Sequence, residues 1–283
     1  MSLFYAVILG LIQGLTEFLP VSSSGHLVIA QSFLGFSEPP ILFDVMLHGG
    51  TLLAVLVFFR KDIWMIISGI FGGAGEQEPG SSDSINQNHP HRNVGRWFFV
   101  LIIIGTIPAV IVGFTLKAFF EGLFSSPATV GFMLCITAAI LYFADRQVRR
   151  EKSVKDMSIM DAILIGIFQA AAIIPGISRS GSTISLGIFR HLTSETAARF
   201  SFILSIPAII GAIVLEVLDI NELSTHEFGI YMVGTAVAAI TGYLSISLLI
   251  RTIKSFKLKA FSIYLWIIGF AVIWINILFK PAM

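Results

Sequence analysis

Hydroxyls, glycines and charge gather at two places in a chain that is otherwise close to hydrocarbon. The first is Gln13-Gly14-Leu15-Thr16-Glu17-Phe18-Leu19-Pro20-Val21-Ser22-Ser23-Ser24-Gly25-His26. The second starts at Gln169 and culminates in Pro175-Gly176-Ile177-Ser178-Arg179-Ser180-Gly181-Ser182-Thr183. Glu17 and Gln13 stand four residues apart, so on a helix both face one side. Two hard oxygens on one face suit Mg²⁺ or Ca²⁺, which commonly reach substrate phosphates through one or two protein ligands. Ser23 and His26 offer a nucleophile and a base. Arg179 is a planar, always-charged donor suited to phosphate. Ser178, Ser180, Ser182 and Thr183 open a helix beside it, and helix N-termini bind anions. Gly25 and Gly181 let backbone approach a ligand closely. With Ser22, Ser24 and Gln169 added, these groups describe a phosphate cradle with a catalytic set of Glu17, Ser23, His26 and Arg179.

Blander readings exist for several of these groups. Serine and glycine runs also mediate helix packing in membranes. Gln169 is as well explained by a hydrogen bond within a helix bundle. Pro20 and Pro175 break helices. Asp44 and His48 lie four apart on one span and are expected mainly to pair with each other. Cys135 reads as a small apolar side chain. His89 and His91 fall in a polar loop and are expected to be solvated rather than to hold metal. Arg179 has the weakest bland explanation, because its position at bilayer depth demands an anionic partner.

The rest of the chain explains why depth matters. It has 283 residues, 55% hydrophobic and only 12% charged, with mean hydropathy +0.88, against about 25% charged residues in soluble domains. This is an all-α polytopic integral membrane protein. A net charge of +1 gives no basic excess for nucleic acid. The first residues lack the basic flank of a secretory signal and read as mature protein. A charge at the bilayer centre costs roughly 2.5–3.5 kcal/mol on the insertion scale. Non-helical backbone survives at that depth only inside protein or beside a water-filled cavity.

The order of segments supplies such a setting. Residues 3–19 form a helix ended by Pro20, and a short helix follows over about 26–34. Each is too short for ~30 Å of hydrocarbon, so the pair predicts a re-entrant hairpin. After a turn over 35–42, with Glu38, Pro39 and Pro40, a span is expected at 43–59, then a short trailing helix at 63–71 and a polar loop at 72–95. Further spans are expected at 97–116 and 127–144, and the charged tract Asp145 to Asp156 links the halves. Residues 159–174 then repeat the opening, followed by spans at 200–218, 229–250 and 261–279. Gln13 to Gly25 and Gln169 to Gly181 are the same distance apart. Gly105-Thr106 with Gly113 matches Gly234-Thr235 with Gly242, and Phe43 to Val55 resembles Phe200 to Ala212. We read two related repeats, 1–145 and 156–283 around a linker at 146–155, forming a single membrane domain. Each has one hairpin and three transmembrane helices, an odd number of crossings, so the repeats are inverted.

Arg60, Lys61, Arg92, Arg96, Arg146, Arg149, Arg150, Lys152, Lys155, Arg251, Lys254, Lys257 and Lys259 fall on one side. Lys117, Lys280, Asp219, Glu222 and Glu227 fall on the other. The basic side is cytoplasmic by the positive-inside rule, which puts both termini outside. Hairpins entering from opposite faces bring their tips together near the midplane, a usual place for ligand sites in membranes.

Glu17 to His26 (EFLPVSSSGH) and Pro175 to Thr183 (PGISRSGST) closely resemble the two signatures of the BacA-type undecaprenyl-diphosphate phosphatases, the bacitracin-resistance proteins. The stretch FSFILSIPAIIGA at 200–212 is also similar to that family, so the resemblance runs along essentially the whole chain. It implies hydrolysis of undecaprenyl diphosphate to undecaprenyl phosphate and phosphate. That recycles the lipid carrier for peptidoglycan in the bacterial plasma membrane, with bacitracin competing for the substrate. It implies an essential carboxylate at Glu17, a nucleophile at Ser23 partnered by His26, and a diphosphate clamp at Arg179. Ser178 and Thr183 match further essential hydroxyls. Many members have Glu where this chain has Gln13, which weakens a two-carboxylate metal site. The site is expected to open to the outer face, and oligomer formation is left open.

Two rivals remain at this level. A prenyl-phosphate flippase or secondary transporter uses the same inverted architecture, and phosphate release discriminates it. The other membrane lipid-phosphatase family shares Ser24-Gly25-His26 but requires histidine where Ser185 sits.

Overall fold

The computed structural model describes residues 2–35, 41–71, 93–115, 127–217, 225–252 and 257–278. The turn with Glu38, Pro39 and Pro40, the loop with His89 and His91, and Arg92, Lys117, Asp219, Glu222, Lys254 and Lys280 lie outside the described residues. Within them the chain forms eleven α-helices. These are α1 (Leu3–Phe18), α2 (Ser23–Phe33), α3 (Ile41–Phe58), α4 (Arg60–Phe71), α5 (Val94–Thr115) and α6 (Pro127–Asp145). After a 3₁₀ turn at Val154–Asp156 come α7 (Ile159–Ala171), α8 (Arg179–Phe189), α9 (Ser194–Val217), α10 (Thr225–Thr252) and α11 (Leu258–Leu278).

Five of these, α5, α6, α9, α10 and α11, are long and apolar enough to cross a membrane. The pair α3 and α4, bent by 73° at its junction, makes a sixth if taken as one. The trailing helix expected at 63–71 thus begins at Arg60, whose guanidinium donates to the Val57 carbonyl at the end of α3. The apolar helices α1 and α7 have 16 and 13 residues. At 1.5 Å per residue they reach roughly 24 and 20 Å, short of the hydrocarbon thickness.

Close helix crossings set the packing. α1 lies on α10, and α7 lies on α5. In the first crossing a side chain at Gly10 would press on the Gly234 carbonyl. In the second, one at Gly166 would press on the Gly105 carbonyl. Gly105 and Gly234 are among the glycines whose spacing matched between the two halves. α6 and α11 cross at Gly131 and Gly269 in the same way. Such contacts bring backbones together where lipid offers helices no hydrophobic drive to associate. Around them Phe18 packs edge-on against Phe202 at 5.4 Å, and Phe59 completes the cluster at 6.0 Å from Phe202. The buried rings fasten the end of α1 to α3 and α9.

The crossing makes a sharp test. Gly166→Ala should lower the thermal unfolding midpoint in detergent, with an overpacking cost of about 1–3 kcal/mol. Gly211→Ala, facing open space, should leave it within about 0.5 kcal/mol. Equal midpoints for the two variants would show that the α5–α7 contact does not constrain the fold.

Candidate active site

The site is built where α1 and α7 stop and two short buried helices begin. Pro20 cannot supply the N–H that would continue α1. The chain turns through Val21, and Ser22 adopts φ +69° before α2 starts. Ser22 caps that helix, its hydroxyl accepting from the Gly25 N–H at 3.3 Å. The second turn runs through Pro175 and Gly176, where φ is +95°, a conformation glycine adopts without strain. Ser178 then caps α8 by accepting from the Gly181 N–H at 3.0 Å. Thr137 on α6 braces the turn by donating to the Gly176 carbonyl and accepting from the Ser178 N–H, each at 3.1 Å. The two caps share the spacing of their hydroxyls: those of Ser22 and Ser24 lie 3.4 Å apart, and those of Ser178 and Ser180 lie 3.3 Å apart.

The tips touch. Ser180 donates to the Leu19 carbonyl at 3.0 Å, tying the start of α8 to the end of α1. A side chain at Gly25 would meet the Gly176 backbone at 3.2 Å. Between the tips lies an ion pair. Arg179 Nη2 donates to Glu17 Oε1 at 2.5 Å, with the two side chains 16% and 6% exposed. Arg179 Nη1 reaches the Ser201 carbonyl on α9 at 3.4 Å. The anionic partner that Arg179 demands is therefore a residue of the other half.

Glu17 Oε2 is the hub. It accepts from Ser23 Oγ at 2.5 Å and from Gln13 Nε2 at 3.0 Å. His48 Nε2 on α3 stands 3.6 Å away. His48 meets Asp44 through the backbone, its Nδ1 donating to the Asp44 carbonyl at 2.8 Å, while the Asp44 carboxylate accepts from Gln31. Thr183 donates to the Arg179 carbonyl at 2.8 Å and shares a 2.5 Å hydrogen bond with the Ser201 hydroxyl.

His26 faces elsewhere. Its Nδ1 donates to the Ser22 carbonyl at 2.7 Å, which fixes the tautomer because a carbonyl only accepts. Nε2 is left as acceptor for the Tyr264 hydroxyl of α11 at 2.8 Å, and the two rings lie 9° from parallel. Its ring hydrogen bonds thus go to Ser22 and Tyr264, and the hydroxyl of Ser23 goes to Glu17. Gln169 is buried with both amide atoms lacking a partner, and the Ser182 hydroxyl is buried in the same condition.

The structure adds Ser201, Thr137 and Tyr264 to the site and draws His48 close to Glu17. Ser201 lies in the 200–212 stretch that resembled the family. Thr137 and Tyr264 sit singly in apolar spans, where nothing in residue type or spacing distinguishes them. For a metal, Glu17 and Gln13 provide a thin donor set. Among the described residues no three His, Cys, Asp or Glu side chains gather as one would need for a protein-only site. The Gln13 Oε1, however, is a buried acceptor with no partner. One carboxylate, one free amide oxygen and incoming phosphate oxygens fit a hard divalent cation.

Residues 6–271 match the family of the bacitracin resistance protein BacA. The chain belongs to this family. Within the BacA family it is 43% identical over 270 residues to the undecaprenyl-diphosphatase of Syntrophotalea carbinolica, covering 95% of this chain and 97% of that one. It is 43% identical over 277 residues to the undecaprenyl-diphosphatase of Methanosphaera stadtmanae, covering 98% and 99%. The protein of the same description from Carboxydothermus hydrogenoformans is 41% identical over 277 residues, covering 96% and 97%. These relatives match at nearly full length, so the turns at 20–22 and 175–178 fall inside the aligned region.

The ion pair can be examined as a coupled unit. Glu17→Gln or Arg179→Gln alone strands a buried charge and should cost about 3 kcal/mol of stability. The double variant should cost clearly less than the sum, a coupling readable from three thermal midpoints. Additive losses would show that the two side chains do not depend on each other.

Proposed function

We propose that this chain hydrolyses undecaprenyl diphosphate to undecaprenyl phosphate and inorganic phosphate, renewing the lipid carrier for peptidoglycan and other wall polymers. The observation that carries this reading is a serine hydroxyl donating to a carboxylate that also holds a buried arginine. The groups that would serve as nucleophile, base and phosphate clamp are thus in mutual contact, in a chain of the matching family.

The chemistry follows from the contacts. Arg179 has five donors, of which one is spent on Glu17 and one on Ser201. The others, with the N-termini of α2 and α8, would bind the diphosphate. Glu17 Oε2 would take the proton of Ser23 as Oγ attacks the terminal phosphorus. The bond to the bridging oxygen then breaks, and undecaprenyl phosphate departs with its electron pair. Water next attacks the phosphoserine, its proton passing to a base, and the serine oxygen leaves with the proton held on Glu17. His26 would serve this second step, since its Nε2 is presented by Tyr264 and not by Ser23. Glu17 and the free Gln13 oxygen would hold Mg²⁺ or Ca²⁺, which supplies charge neutralisation for the diphosphate. Positioning and charge dominate here, as in phosphoryl transfer generally.

The finer architecture belongs to the same proposal. Two inverted repeats, each with a re-entrant hairpin, are supported by equivalent caps at Ser22 and Ser178 and by equivalent crossings at Gly10–Gly234 and Gly166–Gly105. The basic loops support a topology with both termini outside the plasma membrane, in which the site would open outward. Bacitracin, by holding the substrate, would compete with the enzyme.

Phosphate release from undecaprenyl diphosphate in detergent tests the reading. Ser23→Ala and Glu17→Gln should each lower kcat by about 10²-fold or more. Near-full turnover of the Ser23→Ala protein would exclude the covalent route. Tyr264→Phe, which removes only the hydroxyl on His26 Nε2, should lower kcat about tenfold with KM unchanged. An unaltered kcat would remove Tyr264 from the mechanism.

A further inference from the structure

We infer that His48 is a direct ligand of the divalent cation, completing a site with Glu17 and Gln13 that favours a borderline ion such as Mn²⁺ over Mg²⁺ or Ca²⁺. This rests on the diphosphatase reading and goes beyond it. His48 Nδ1 carries the ring proton, because it donates to the Asp44 carbonyl. A metal-bound histidine is ordinarily oriented in this way, with its far nitrogen hydrogen-bonded to a carbonyl or carboxylate. The other nitrogen, Nε2, faces Glu17 Oε2 at 3.6 Å with no hydrogen bond between them. Two acceptors aimed at each other need a cation or a proton in the gap. Ligands about 2.0–2.2 Å from one ion, at angles between 90° and 120°, lie roughly 3.0–3.6 Å apart. The observed separation falls at the wide end of that range.

A third candidate donor lies on the side chain that touches the same carboxylate. The Gln13 side chain is fully buried, its Nε2 rests on Glu17 Oε2, and its Oε1 has no partner. The cost of an unmatched buried acceptor disappears if that oxygen also binds the ion. Glu17, His48 Nε2 and Gln13 Oε1 are therefore the protein donors of the proposed site, and phosphate oxygens and water can fill the rest of the shell. The mixed donor set decides selectivity. Carboxylate and amide oxygens suit Mg²⁺, Ca²⁺ and Mn²⁺, whereas imidazole draws the preference toward transition metals. Gln13 removes one negative charge relative to a two-carboxylate site, and His48 restores a strong neutral donor.

The test uses the full-length protein in detergent and Mn²⁺ alone as probe, read by pulsed electron paramagnetic resonance. The expected result is one bound Mn²⁺ with hyperfine coupling to a directly coordinated imidazole nitrogen. The coupling should persist in His26→Gln and vanish in His48→Gln, with Mn²⁺ affinity falling at least about tenfold. Mn²⁺ bound with no nitrogen coupling in the wild type overturns the proposal without any variant, as does a failure to bind Mn²⁺ or a coupling lost in His26→Gln instead. A proton alone in the gap gives the first or second of these results. Phosphate release, assayed in parallel, separates the two failures. Turnover without nitrogen coupling sinks only the His48 ligand, whereas the absence of turnover with any metal sinks the diphosphatase reading.

Discussion

The contact between Glu17 and Arg179 is the constraint on which the rest of the structure depends. Each charge alone would be costly at this depth in the protein, and a buried pair is tolerated only where geometry and further hydrogen bonds are good. Here Ser23, Gln13 and the Ser201 carbonyl supply those bonds. The pair joins α1, from the start of the chain, to α8, 162 positions later. Neither helix can shift without stranding a charge. The interaction therefore fixes the register between the two halves more firmly than apolar packing, which slides at lower cost.

Much of the surrounding construction can be understood as support for that register. The first turn passes through Pro20, the second runs from the end of α7 at Ala171 through Pro175, and a capping serine restarts the chain as α2 and as α8. Ser180 on the Leu19 carbonyl and Thr137 around Gly176 hold the turns in place by satisfying backbone groups that no water could reach. The glycine crossings then let α10 and α5 close over α1 and α7. A site formed on helix ends and locked by backbone contacts is more rigid than one formed on loops.

How far this was legible in the sequence differs by residue. The membrane class, the broken helices and the cradle follow from composition, Pro20, Pro175 and the serine runs. These signals are strong because polar residues are so costly in hydrocarbon. The demand of Arg179 for an anion was also legible, but its identity as Glu17 was not, since charge alone does not say whether a substrate or a side chain will answer it. The partner of Ser23 was open for a similar reason. Proximity along the chain favoured His26, three residues on, yet the His26 ring bonds the Ser22 carbonyl and the Tyr264 hydroxyl, and α1 delivers Glu17 to the Ser23 hydroxyl instead. Tyr264 and Thr137 were invisible because each contributes one hydroxyl to a tertiary contact from an otherwise ordinary span.

The internal match clarifies why two similar tips make an asymmetric site. At the spacing that aligns Gln13 with Gln169, Ser22, Ser24 and Gly25 align with Ser178, Ser180 and Gly181 and keep their capping roles. Among the aligned pairs that differ, Glu17 stands against Ile173, Ser23 against Arg179, and His26 against Ser182. The capping hydroxyls are common to both tips, while the backbone at the cap differs, with Ser22 at φ +69° and Ser178 at φ −72°. A symmetric pair of carboxylates would repel across the contact, and a symmetric pair of arginines would too. Dividing the charges removes that repulsion and places the Arg179 guanidinium against the Glu17 carboxylate, which also holds the Ser23 hydroxyl. It also explains the condition of Gln169, which keeps the position of Gln13 but has lost the carboxylate four residues on, and is left buried without a hydrogen bond.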